Sequence, residues 1–252
     1  MNDFYVGYLP KAPEALARRT KRTAAILLMF AVAASVVFVT SQRTVSTPAT
    51  FEFGQERPFE GTLVASPYPA LLVTRLNSSE DQPQYSYYSL VAPGKHGADE
   101  AVARYTGKAV RLRGTLIYRE DQTMIEVIPD SIVTVSANPS AAPVFHNLGS
   151  FRLTGEIVDS KCNFGVMNPG RGKVHKDCAV RCLSGGIPPA FVTNDFEGRP
   201  ATLLLTASDG KPLPKQAFLP YVAQRLQLRG LVRKTGDELF FEVGPSSIST
   251  AR

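Results

Sequence analysis

The chain is poor in the groups that carry most site chemistry. Of 252 residues, three are cysteine and three are histidine. It has no Walker loop, no dinucleotide fingerprint and no nucleophile-triad signature. The paired C-x2-C of standard zinc sites is missing. Glu52, Glu56 and Glu60 are not at a spacing for paired acid–base work on a strand. These shortages favour a non-catalytic chain. Excess positive charge is also scarce. The net charge is +6, and residues 1–23 hold half of it, with Lys11, Arg18, Arg19, Lys21 and Arg22 against Asp3 and Glu14. The remaining 229 residues share only +3, which is not a nucleic-acid-binding density, so no nucleic-acid partner is expected. Charged and apolar fractions are otherwise those of a folded protein.

One stretch lacks charge and proline altogether. "AAILLMFAVAASVVFVT", Ala24–Thr40, follows the basic cluster directly. Its 17 residues are at the short end of a bilayer span. A cleaved signal peptide is the rival reading, with an apolar core of ~7–15 residues ending at small residues. Here the small residues of "AVAAS" lie inside the apolar run, with "VVFV" still to follow, so an uncleaved anchor is expected. Five Lys/Arg precede it and only Arg43 follows closely. Positive-inside then puts residues 1–23 in the cytoplasm and 41–252 outside, in the periplasm or cell exterior of a bacterium. The anchor makes the bacterial cell membrane the location and the bilayer a partner. The tail "MNDFYVGYLPKAP", with Phe4, Tyr5 and Tyr8, is expected to dock on a membrane partner subunit or lie at the lipid interface.

The exported part repeats itself. "YTGKAVRLRGTLIYREDQTMIEV" from Tyr105 aligns without a gap on "YVAQRLQLRGLVRKTGDELFFEV" from Tyr221. The offset is 116, and Leu112/Leu228, Gly114/Gly230, Asp121/Asp237, Glu126/Glu242 and Val127/Val243 are among the identities. The module starts, "FEGTLVASP" and "LTGEIVDSK", align Gly61 with Gly155 at an offset of 94. The second copy therefore carries 22 extra residues between its first and its closing strands. Period-two patterning, a helix before the fourth strand ("ADEAVARY", "KQAFLPYVAQ") and a glycine-kinked central strand predict a mainly β protein. The expectation is two tandem OB-like barrels, at 51–137 and 149–248, joined by a linker at 138–148; a sandwich is the alternative. "YSYYS", Tyr85–Tyr88, reads as a strand with one aromatic face.

All the cysteines fall in the insertion, 162–186. "VHKDCAVRCL" reads as a helix that "SGGIPP" ends, placing His175, Cys178 and Cys182 on one face; Cys162 ends the preceding strand. Four readings are open: a cap on the barrel mouth, a metal clamp, a disulfide staple or a reactive thiol. Cys162, His175, Cys178 and Cys182 are a permitted ligand set for zinc, copper or an iron–sulfur cluster, and Met167 could add a thioether. In an exported chain a bridge from Cys162 to Cys178 or Cys182 closes a 16–20-residue loop worth ~3 kcal/mol and is the expected state of the isolated protein. Lys173, Lys176 and Arg181 would favour thiolate at a leftover cysteine. His96 and His146 read as solvated loop histidines.

The segment "GEIVDSKC…HKDCAVRCLSGGIPP" resembles a group of small exported bacterial proteins. They have a G-x-V-x-D-x-x-C start, an H-x-x-C-A-x-x-C centre and a G-x-P end. The resemblance covers about residues 150–245. It implies an OB-like barrel, export, and joint importance of Cys162, His175, Cys178 and Cys182; it implies no activity. Together these readings predict a membrane-anchored extracytoplasmic accessory or binding subunit, in a membrane redox assembly. The alternative is a metal-binding or thiol redox protein using the same four residues.

Overall fold

The computed structural model describes residues 12–43, 49–75, 85–120, 122–139 and 142–250. The aromatic tail with Phe4, Tyr5 and Tyr8 lies outside them. Two units divide the chain at Thr47/Pro48.

The described part of the first unit holds one helix, α1, Glu14–Arg43. Its 30 residues rise ~45 Å, more than the ~30 Å hydrocarbon core of a bilayer. It is long and apolar enough to cross a membrane. Helix formation extends beyond the 17-residue apolar run because Ala, Arg and Lys before it are good helix formers. Two hydroxyls inside the run bond back to their own helix: Ser35 Oγ donates to Ala31 O at 2.8 Å and Thr40 Oγ1 to Val36 O at 2.9 Å.

The second unit is mainly β. Its first half comprises β1 Ala49–Phe51, β2 Arg57–Val64, β3 Ala70–Thr74, β4 Tyr85–Val91, a short helix α2 Asp99–Val102, β5 Ala109–Arg119, β6 Gln122–Val127 and β7 Val133–Thr134. The second half comprises β8 His146–Asp159, the helix α3 Lys176–Ser184, β9 Pro189–Phe196, β10 Arg199–Ala207, a short helix α4 Lys215–Phe218, β11 Arg225–Thr235 and β12 Glu238–Thr250. β8 starts within the stretch read as linker: His146 is exposed yet pairs with Lys234.

Strands β8 to β12 form a closed barrel in the order β10-β12-β11-β8-β9, with β10–β12 its one parallel pair. Closure excludes an open sandwich for this half. In the first half β5 pairs with β2 and β6, β2 with β3, β3 with β4, and β4 with β6 in parallel. The aligned glycines hold matching registers. Gly114 faces Val127 on β6, and Gly230 faces Val243 on β12. Gly61 faces Val110, and Gly155 faces Leu226. At Gly114 and Gly230 a Cβ would collide with the carbonyl oxygens of Glu126 and Glu242 on the neighbouring strand. Both bent strands need glycine for that approach.

Each half has its own core. Leu63, Leu71, Leu90, Val110, Leu112 and Ile125 fill the first, with Val102 of α2 against them. Leu153, Phe191, Leu203, Leu205, Leu228 and Phe241 fill the second, with Phe218 of α4 in the corresponding place. A third cluster joins the halves. Tyr68, Ala70, Leu72 and Tyr87 pack on Val158, Ala190, Leu204 and Phe240. Side chains alternate across a strand. Leu71 and Leu203 therefore point into their own cores while Leu72 and Leu204 point at the other half. Polar clasps frame this seam. Tyr68 Oη donates to Leu205 O at 2.5 Å, Gln122 Nε2 donates to Glu238 Oε1 at 2.8 Å, and Arg75 pairs with Asp237.

Candidate metal centre

The site is assembled where β8 ends. Its last residue, Asp159, is fully buried. Cys162 then opens a single π-helical turn, Cys162–Val166, and a loop leads to a 3-10 turn, Lys173–His175, directly before α3. α3 stops at two glycines. Gly185 N donates to Arg181 O at 3.0 Å and Gly186 N to Leu183 O at 3.2 Å, with Gly186 at φ +99°. That left-handed conformation favours glycine and closes the helix end.

The insertion reaches beyond the second barrel. It is wedged between the two halves. One side of α3 sends Ala179 and Leu183 into the second core. Its other side sends Cys182, with Cys162, Phe164 and Ile187, against Val91, Ile117 and Met124 of the first half; Cys178 packs beside them.

The sulfurs of Cys162, Cys178 and Cys182 all lie within 4.8 Å of one another. All three are free thiols, so the expected bridge from Cys162 is not formed. Hydrogen bonds occupy the sulfurs instead. Lys95 Nζ donates to Cys178 Sγ at 2.8 Å and to Cys182 Sγ at 3.7 Å. Cys162 and Cys182 are buried and Cys178 half-buried.

A second group shares Cys162. Asp159, Cys162 and His175 each offer a ligand atom within 4.8 Å of the others. Asp159 Oδ2 is 3.0 Å from His175 Nε2, and Asp159 Oδ1 accepts Cys162 N–H at 2.8 Å. The four predicted residues thus meet in one neighbourhood, divided into two overlapping groups. His175 belongs with Asp159, not with Cys178 and Cys182. It sits in the 3-10 turn ahead of the helix, so it leaves the helical stripe and satisfies a buried carboxylate. Met167, proposed as a thioether donor, is 44% exposed.

The electrostatics favour one thiolate. The hydrogen bond from Cys162 brings the Cys182 thiol down to about 7, against burial and the Asp159 charge; Lys95 and Cys178 add to the lowering. The same hydrogen bond, burial and Asp159 push Cys162 far up. The bond to Cys178 raises Lys95.

Three contributors were not singled out from the sequence. Asp159 stood in the quoted motif without a role. Lys95 lies in a loop of the first half. Lys161 is only 2% exposed, and its ammonium pairs with Glu126 and donates to Ala92 O at 2.9 Å and Gly94 O at 2.7 Å. All three of its protons are therefore used, which is what makes a buried cation tolerable. That lysine also fixes the loop that presents Lys95. The remaining residues behave as solvated or ion-paired groups. His96 is exposed. Glu52, Glu56 and Glu60 pair with Arg57, Arg113 and Arg111. Tyr85 and Tyr87 form the aromatic side of β4 that meets the second half.

No family model, curated protein or solved structure matches the chain.

Proposed function

We propose that the chain is a membrane-anchored, extracytoplasmic accessory module that holds a soft metal ion between two OB-like barrels. The observation that carries this reading is the meeting of three cysteine sulfurs within 4.8 Å, beside a lysine ammonium, in a wedge lined by both halves. Thiolates are soft donors, and three together are a recurrent ligand set for d10 metals. The tandem OB-like reading draws on the matching strand pairings, the parallel closing pair in each half and the helix before each bent strand. Export and orientation draw on the apolar helix and the Lys/Arg bias around it. A site that binds both halves together suits a structural or docking role, and membrane subunits of a redox assembly are the partners we propose.

A second reading has its own support in the depressed Cys182 thiol and the Lys95 ammonium. It is thiol–disulfide exchange. Two of the three thiols would reduce a partner's disulfide to two thiols, forming one intramolecular disulfide and moving two electrons and two protons.

The test is metal analysis of the full chain, extracted from membranes in mild detergent under reducing and under oxidising conditions. About one metal ion per chain is expected after reducing preparation, lost in Cys178→Ala and Cys182→Ala. A chain without metal in both preparations, with a stable reversible disulfide, would favour exchange.

A further inference from the structure

The donor inventory narrows the class of metal. A structural zinc site needs four ligands, and a catalytic one needs three plus an open place for water. Three sulfurs converge here, whereas the Asp159 carboxylate and His175 Nε2 are engaged with each other and with Cys162 N–H. Asp159 spends Oδ1 on Cys162 N–H at 2.8 Å and Oδ2 on His175 at 3.0 Å. His175 Nε2 is held by that bond, and the residue is 4% exposed. Recruiting Asp159 or His175 Nε2 would leave a buried partner unsatisfied, at a cost of ~1–3 kcal/mol.

Charge points the same way. The Lys95 ammonium already stands 2.8 Å from Cys178 and 3.7 Å from Cys182. A monovalent ion and this ammonium together bring the two positive charges that a divalent ion would bring alone. The walls are apolar: Val91, Ile117, Met124, Phe164 and Ile187 pack around Cys162 and Cys182. Such walls exclude the water that a harder ion would retain.

Resting on the metal reading above, we infer that Cys162, Cys178 and Cys182 form a three-sulfur site for a soft monovalent cation, copper(I). Lys95 is its positioned counter-charge. His175 and Asp159 stay outside the coordination sphere and hold Cys162 in place. Half-buried Cys178 is the entry side. Because Lys95 comes from the first half and the cysteines from the second, loading the site also ties the halves together.

The experiment uses the full chain in mild detergent, kept anaerobic. Copper(I) and zinc(II) are each titrated against a competing chelator, and silver(I) serves as a redox-inert substitute for copper. The metal shell is read by X-ray absorption. One copper(I) or silver(I) per chain is expected, with a shell of three sulfurs and no nitrogen or oxygen. Lys95→Met should weaken copper(I) ~10-fold while leaving the sulfur shell intact, and Lys95→Arg should recover most of that loss. Lys95 is exposed, so these variants are not expected to unfold the chain. His175→Gln should leave the shell unchanged. A nitrogen in the shell would overturn the three-sulfur site but leave metal binding standing. So would zinc that survives a chelator excess able to strip copper(I). Failure of all three ions to bind the reduced chain would sink the metal reading itself.

Discussion

The two halves of residues 49–250 pair their strands alike, yet they handle the end of the first strand differently. In the first half β2 turns through "SPYPALL" straight into β3. In the second, β8 runs into Asp159, Lys161 and Cys162, and some 25 residues pass before β9 starts. The plain copy shows what the strand circuit needs, so the addition is set apart as serving something else. It is not an ornament on the second half alone. The buried Lys161 just before it reaches Glu126, its sulfurs meet Lys95, and its apolar side packs on Val91 and Met124, all in the first half. One aligned pair differs most clearly. Glu126 takes the buried Lys161, while Glu242, its counterpart, takes the half-exposed Arg233 at 2.8 Å.

The largest effects are expected where the halves meet. Phe240 is 1% exposed and stacks edge-on with Tyr87 and Phe145. Phe240→Ala should cost ~3–5 kcal/mol and turn one chemical unfolding transition into two, because it empties the shared cluster. Retention of a single transition would mean the halves are coupled by other means.

Next come the aligned glutamates. Lys161→Ala leaves Glu126, Ala92 O and Gly94 O without their cation, and should cost ~3–5 kcal/mol in urea unfolding. Arg233→Ala, at the corresponding partly buried pair, should cost less, ~1.5–3 kcal/mol. Equal costs would break the contrast between buried wedge and ordinary barrel surface.

The bent strands should respond alike. Gly114→Ala and Gly230→Ala each drive a Cβ into a neighbouring carbonyl, and each should cost ~1–3 kcal/mol. A large cost at one and none at the other would show that the halves bend differently.

The smallest expected effect is in pH. Cys182 has a folded value of about 7 against an ordinary 9.0, so its thiolate is favoured by folding. That contribution is full above pH 9 and is lost as pH falls through about 7. Cys162 is raised, so the folded state keeps its proton, and stability falls as pH rises above the ordinary 9.0 where the unfolded chain releases it. The metal-free reduced chain should therefore gain urea resistance from pH 7 towards 9 and lose it beyond. Cys182→Ser should remove the rising limb.

Much of this was readable in the chain. The offsets of 116 and 94 located Gly114, Gly230, Gly61 and Gly155, and the registers of those glycines match. The apolar run announced a helix fit to span a membrane. The seam between the halves was not readable. "PALLV" and "TLLLT" are apolar on both faces, which says each face is covered but not by what. Lys161 and Glu126 are 35 residues apart, and Lys95 sits in a glycine-flanked loop that no periodicity singles out. His175 does join the cluster, but from a 3-10 turn ahead of the helix and beside Asp159, which helical spacing does not foresee. The disulfide follows from compartment and loop length, whereas Cys162, Cys178 and Cys182 are free thiols within 4.8 Å of one another.

The claim that the insertion is a three-sulfur metal wedge is tested most directly by native mass spectrometry of the full chain, reduced and then offered copper(I). The account predicts a chain carrying all three thiols that takes up one ion, releases thiol protons as it does so, and loses that uptake when Cys162, Cys178 or Cys182 is replaced by serine. A reduced chain that takes up no ion, or serine variants that take it up as readily as the parent, would contradict it.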